Sequence, residues 1–170
     1  TPLSPQQLLD CSSGHDICAN GAAFAPIYAY IGKQGMTSLA NYPYLAQKGR
    51  CNRQKERQVI AKIGGLKWIT TDGNEERLLK AVQRDGPVAV AIHASDAWSR
   101  YSRGVFSGPC GGGINHAVLV VGYGYDGQSD RDFWIVKNSW GEGYGDRGYV
   151  YMHRNSGNVC SIASHTVQVY

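Results

Sequence analysis

At 170 residues the chain is long enough for one domain, or for two small lobes that share a core. A content of 42% hydrophobic and 18% charged residues excludes a disordered or fibrous chain, and 22 glycines favour a loop-rich β architecture over a helical bundle. The net charge of +4 is concentrated in part between Lys48 and Arg57, a run without interleaved aromatics that also holds Glu56, so it reads as a solvated loop rather than a nucleic-acid surface.

No stretch approaches the roughly 18 apolar residues that span a bilayer, so no membrane partner is expected. There is no signal-peptide pattern, and Thr1 reads as a processed or trimmed end. No Asn-x-Ser/Thr acceptor occurs. The five cysteines, Cys11, Cys18, Cys51, Cys110 and Cys160, form none of the close pairs of a zinc site. Disulfides in an oxidising compartment are the better reading, with no metal or cofactor. Five is an odd number, so one cysteine is free or pairs outside these residues.

Ser4-Pro5-Gln6-Gln7 has the form of a capping box and opens a short helix that ends at Asp10-Cys11. Cys18 to Ala23 reads as a turn. A second helix follows over about Phe24 to Gln34, with Pro26 in its first turn, Gly35 after its end, and Ile27, Tyr30 and Ile31 on one apolar face. Asn41-Tyr42-Pro43-Tyr44 is an extended aromatic loop. Residues 59–71 read as a strand broken at Gly64-Gly65. Asn74 caps a third helix, Glu75 to Asp85, with Leu78, Leu79 and Val82 facing inward and Gly86-Pro87 as its stop.

From there the chain turns to β-structure, with strands expected at 87–93, 117–125, 132–137, 148–153 and 165–169. Helices first and strands second indicate an α+β protein. We divide residues 1–170 as one domain: 1–86 mostly helical with a crossover, 87–165 mostly β, and 166–170 a terminal strand end. Gly122-x-Gly124-x-x-Gly127 matches a dinucleotide fingerprint, but a strand follows it where that site requires a helix, so no cofactor is assigned.

Two polar markers stand at glycine-rich turns. His116 heads the strand after Gly111-Gly112-Gly113, a place where a rigid strand would present a general base; it could equally be a polar strand start. Asn138 leaves the strand Asp132 to Lys137 and is followed by Ser139-Trp140-Gly141. An amide oxygen there could fix the tautomer of a histidine ring, with Trp140 shielding the bond from water; a lone Asn is also a common turn residue.

Taken together, Asn115-His116-Ala117-Val118, Val121-Gly122-Tyr123-Gly124, Lys137-Asn138-Ser139-Trp140-Gly141 and Gly148-Tyr149 resemble the papain/cathepsin L family of cysteine peptidases. Leu3 to Cys11, Tyr42-Pro43-Tyr44 and Gly108-Pro109-Cys110 match it as well, so the resemblance covers the whole chain. It implies a papain-like two-lobed fold, part helical lobe and part β-barrel-like lobe, with peptides or proteins as substrates. It also implies inhibitors of the cystatin type as partners, and a lysosomal, vacuolar or secreted location. His116 matches the catalytic histidine, Asn138 the asparagine that orients it, and Trp140 the aromatic that covers the pair, in the Cys-His-Asn arrangement familiar from that family. The same resemblance pairs Cys11 with Cys51 and Cys110 with Cys160. It lines the pocket for the second residue before the scissile bond with Phe24, Ala91, Ile114, Ala117 and, at its floor, His165. Gly21, Ala22 and Asn115 are further substrate-binding positions on these grounds.

The nucleophile departs from the pattern. In this family the cysteine lies roughly 130–150 residues before the His and Asn, in a C-G-[SA]-C-[WY] context, and counting back from His116 passes beyond Thr1. The glutamine of the oxyanion hole precedes that cysteine. Cys18 corresponds to the cysteine whose partner lies in the same segment. The expectation is therefore that an N-terminal portion carrying the nucleophile and the long central helix is a missing segment or a separate light chain, leaving an apolar face uncovered and this chain inactive alone. The alternative is a non-catalytic homologue that keeps the scaffold for binding, inhibition or storage. Cys18-Ala-Asn-Gly-Ala in place of the family's Cys-Asn-Gly-Gly bears on the choice, because an extra residue could shift the backbone that pairs with substrate. His15, His93 and His153 have no partner by motif and read as ordinary surface or strand residues.

Overall fold

A computed structural model describes residues 1–13 and 16–170. His15 lies outside the described residues. Two compact units are present, Thr1–Lys67 with Val169–Tyr170, and Trp68–Gln168.

In the first unit, helix α1 (Pro5–Cys11) starts on Ser4, whose hydroxyl accepts from the backbone of Gln7. The short α2 (Ile17–Asn20) stands where the sequence suggests only a turn; Asp16 caps it by accepting from the Cys18 N–H. Helix α3 (Phe24–Gln34) has the bounds that its glycine and proline signals suggest, yet none of its residues is fully buried. Within the basic run a four-residue helix, α4 (Arg53–Glu56), forms on the Asn52 cap. This corrects the solvated-loop reading in one respect: Glu56 is only 4% exposed and accepts from Arg53 and Tyr30. Ahead of Gly64-Gly65 there is no strand, only a bridge between Met36 and Ala61. Cys11 and Cys51 form a disulfide.

What lies buried in this unit is mostly polar. Gln6, Gln7, Asp10, Ser4, Thr37 and Glu56 are buried beside the apolar Met36 and Tyr42. The buried amides satisfy one another's surroundings: Gln6 bonds Asp10, and Gln7 donates to Tyr30 and to the Gly35 carbonyl. Such a network holds only when its members are satisfied together.

The second unit is built on a seven-stranded sheet of order β1-β7-β2-β4-β5-β6-β3, where β1 is Leu66–Thr70, β2 Val88–Ile92, β3 Val105–Phe106, β4 His116–Asp126, β5 Arg131–Lys137, β6 Tyr149–His153 and β7 Thr166–Val169. Helix α5 (Glu75–Asp85) carries Leu78, Ala81 and Val82 into the core, and α6 (Asp96–Ser99) contributes the buried Trp98. Alternate residues of the strands complete that core: Val88, Val90 and Ile92, then Val118 and Val120, Trp134 and Val136, Val150 and Met152. Period-two burial of this kind fixes the register, since a slip of one residue would turn every core side chain outward. The G-x-G-x-x-G run serves this sheet. A Cβ on Gly124 would lie 2.6 Å from the Phe133 ring on the adjacent strand, so only glycine lets that ring lie across β4. Cys110 and Cys160 form the second disulfide. Among the described residues no helix is long and apolar enough to cross a membrane.

Candidate active site

Antiparallel pairing of β2 with β4 sets Ile92 opposite His116 and Ala91 opposite Ala117. His116 therefore shares the face of Val118 and Val120, but stands at the strand's end where the apolar core stops. Strand β5 delivers Asn138 beside it, just past Lys137, and Asn138 is held by donating its N–H to the Gly148 carbonyl.

His116 Nε2 lies 2.8 Å from Asn138 Oδ1, and the Ser139 backbone N–H donates to that same oxygen at 2.8 Å. The backbone group can only donate, so the atom facing both is the amide oxygen. Nε2 must then carry the ring hydrogen, which leaves Nδ1 as the basic nitrogen. Asn138 is buried at 7% exposed. Trp140 is tilted over the imidazole with ring centres 4.9 Å apart, while remaining 45% exposed itself, so one of its faces covers the pair and the other meets solvent.

Two further aromatics belong to the site and carry no motif signal. Trp98, fully buried, presents an edge to His116 at 5.5 Å and to Trp140 at 5.3 Å. Tyr144 packs on both tryptophans and donates its hydroxyl to the Trp98 carbonyl at 2.6 Å. Burial raises the Tyr144 phenol well above its ordinary value, which keeps it a neutral donor. Only the concentration of Trp and Tyr around residues 98–144 could have suggested this box.

On the opposite face of the sheet, Ala91 on β2, Ala117 on β4 and His165 just before β7 come together: Ala91 pairs with Ala117 and donates its N–H to the His165 carbonyl at 2.9 Å. Ile114 and Asn115, both exposed, lead into His116, with the Asn115 N–H donating to the Ile92 carbonyl. Gly21, Ala22 and Phe24 lie in the first unit, at the end of α2 and the start of α3, and Gly21 has φ +68°. Cys18 is exposed and free. The only set of metal-type donors drawn together among the described residues is Cys11, Cys51 and Glu56, whose two sulfurs are bound to each other and offer no thiolate.

A family model, papain family cysteine protease, matches residues 1–170. The chain belongs to this family. It is 44% identical over 171 residues to cathepsin S of Bos taurus, covering 96% of this chain and 50% of the relative, and 40% identical over 164 residues to fruit bromelain of Ananas comosus, covering 95% and 45%. The solved bromelain from Ananas comosus, in complex with the E64 inhibitor, superposes with a TM-score of 0.90 at 38% identity over 99% of this chain and 77% of that one. Digestive procathepsin L 3 of Tenebrio molitor gives 0.91 at 41%, over 99% and 55%. The papain-like α+β fold is thus shown. The chain spans about half the length of the curated relatives it matches.

Proposed function

We propose that this chain is the histidine- and asparagine-bearing part of a papain-like cysteine endopeptidase, residues 1–170 of one peptidase domain whose thiol nucleophile is supplied by an N-terminal segment. The observation that carries this reading is the His116–Asn138 bond at 2.8 Å under Trp140, with Nδ1 left basic. In the reaction His116 takes the thiol proton, the thiolate attacks the peptide carbonyl, and His116 returns the proton to the leaving amine, leaving a thioester. His116 then takes a proton from water, which cleaves the thioester to the acid, and returns it to sulfur, with Asn138 holding the ring throughout. Four of the five cysteines are in disulfides, and Cys18 stands outside the nucleophile motif, which supports an additional thiol. Cys18 is assigned the bond to that segment.

Ala91, Ala117 and His165, with Ile114, form one wall of the pocket for the second residue before the scissile bond, and Phe24, in the first unit, is assigned to substrate binding by the resemblance. The backbone at Gly21 and Ala22 pairs with substrate, and Asn115 is a further substrate-binding position. The chain alone is inactive, substrates are peptides or proteins, cystatin-type inhibitors are partners, and the compartment is lysosomal, vacuolar or extracellular.

Mass spectrometry of the native protein with and without reductant tests the reading, followed by labelling with a thiol-directed epoxide. A companion of about 5 kDa, by the family's spacing, that reductant releases and the epoxide labels is the expected result. A native protein whose Cys18 is free, that has no additional thiol and takes no label would instead be a non-catalytic binding homologue.

A further inference from the structure

We infer that His93 is a positioning residue that holds the glycine turn presenting His116; the inference rests on the peptidase reading above. The turn Gly111-Gly112-Gly113 ends three residues before His116, and three consecutive glycines have more backbone freedom than any other sequence of that length. Something must restrict them if the imidazole is to keep its place.

Three consecutive residues at the end of β2 do so. The Ile92 carbonyl accepts from the Asn115 N–H at 3.0 Å. The Ala94 backbone bonds the Asn115 side chain twice, its N–H donating at 2.8 Å and its carbonyl accepting at 3.3 Å. Between them, His93 Nδ1 lies 2.7 Å from the Gly113 carbonyl. A carbonyl only accepts, so Nδ1 carries the hydrogen and the bond persists whether Nε2 is protonated or not. Against the same ring, a Cβ on Gly112 would come 2.9 Å from Cε1, at a φ of +77°. The imidazole therefore both bonds the turn and fills the space beside it. His93 is itself anchored by its own N–H donating to the Cys160 carbonyl, next to the Cys110–Cys160 disulfide. Ile92 and Ala94 hold only Asn115; the tie at Gly113 comes from His93.

The test uses the completed peptidase and compares His93→Leu, which removes the donor, with His93→Asn, whose amide nitrogen replaces Nδ1. His93→Leu lowers kcat about tenfold with KM within about twofold, on the scale expected when a reacting group is displaced by a fraction of an ångström, and His93→Asn restores most of it. In the NMR spectrum the His116 Cε1–H resonance moves or broadens in His93→Leu and returns in His93→Asn. Gly112→Ala, which pushes the turn from the ring, reproduces the His93→Leu resonance and serves if that variant fails to fold. An unmoved His116 resonance in His93→Leu and Gly112→Ala, or no recovery in His93→Asn, overturns the inference. An inactive wild type with these resonance changes intact would overturn the peptidase reading and leave the role of His93 standing.

Discussion

Asn138 shows how much one acceptor can decide. It fixes the histidine tautomer by geometry, without a charge, and is itself kept in place by the Ser139 and Gly148 backbone. Asn138→Ala removes that reference and lets the ring turn under Trp140. In the completed peptidase kcat should fall about 10- to 100-fold with little change in KM, because the lost interaction orients the reacting group and does not touch bound substrate. Steady-state kinetics on one peptide substrate check this; an equal rise in KM would mean that the asparagine serves binding. The glycine-rich turns made His116, Asn138 and Trp140 stand out in the sequence as candidates, and the family resemblance gave them their expected roles. Trp98, Tyr144 and His93 did not stand out: α6 carries Trp98 to the ring, Tyr144 packs on the two tryptophans and His93 reaches the Gly113 carbonyl, and no spacing rule encodes such contacts.

Glu56 carries the residue-scale argument into the first unit. Burial raises its carboxyl, but the Tyr30 hydroxyl and the Arg53 guanidinium overcome that effect and hold it below the ordinary value of 4.5. A group whose folded pKa is depressed contributes stability above its unfolded value, and loses it as pH falls through the folded one. Acid unfolding followed by circular dichroism should therefore steepen below about pH 4.5. Glu56→Gln should lower stability near neutral pH by about 1–3 kcal/mol, because it removes the charge and leaves one acceptor oxygen where Tyr30 and Arg53 now have two, and should flatten the acid limb. An unchanged limb would place the acid sensitivity elsewhere.

At the scale of elements, α3 and α5 match the bounds that their caps and glycine stops imply, since eleven residues give an apolar period room to repeat. The four-residue helices α2, α4 and α6 are too short for any period and rest on single capping side chains, Asp16, Asn52 and Ser95. They escaped a reading by periodicity for that reason. Strand β3 has two residues and exists only because β6 offers a parallel edge. The two kinds of support differ in weight. Leu78 on α5 is fully buried, so Leu78→Ala should cost about 3 kcal/mol, or about 6–12 °C in Tm for a chain of this size. Asn74→Ala, which deletes only the cap accepting from Arg77, should cost about 1 kcal/mol. Thermal melts that reversed this order would show that packing of α5 does not dominate the second unit.

For the whole molecule the contrast lies in how each unit is built. The second unit buries Trp98, Trp134, Leu78 and a ladder of valines. The first buries Met36 and Tyr42 among polar groups, while Leu3, Tyr44, Leu45, Val59, Ile60 and Tyr170 stay exposed and α3 has no buried residue despite its apolar sequence. A unit with so little apolar burial depends on its satisfied polar network, on the Cys11–Cys51 tie across a separation of 40 residues, and on whatever else covers it. On the reading proposed above, the N-terminal segment would supply that cover. Any species that binds only the folded chain raises its stability by mass action, and one tethered through Cys18 does so at high effective concentration. The chain alone should accordingly enhance fluorescence of an apolar dye such as ANS. Co-expression with the preceding segment should abolish that enhancement and raise Tm. Cys18→Ser should keep the packing but lose retention of the segment under denaturing, non-reducing conditions. Equal dye binding and equal Tm with and without the segment would leave the apolar residues of the first unit without a partner, and would remove the ground for assigning the nucleophile to it.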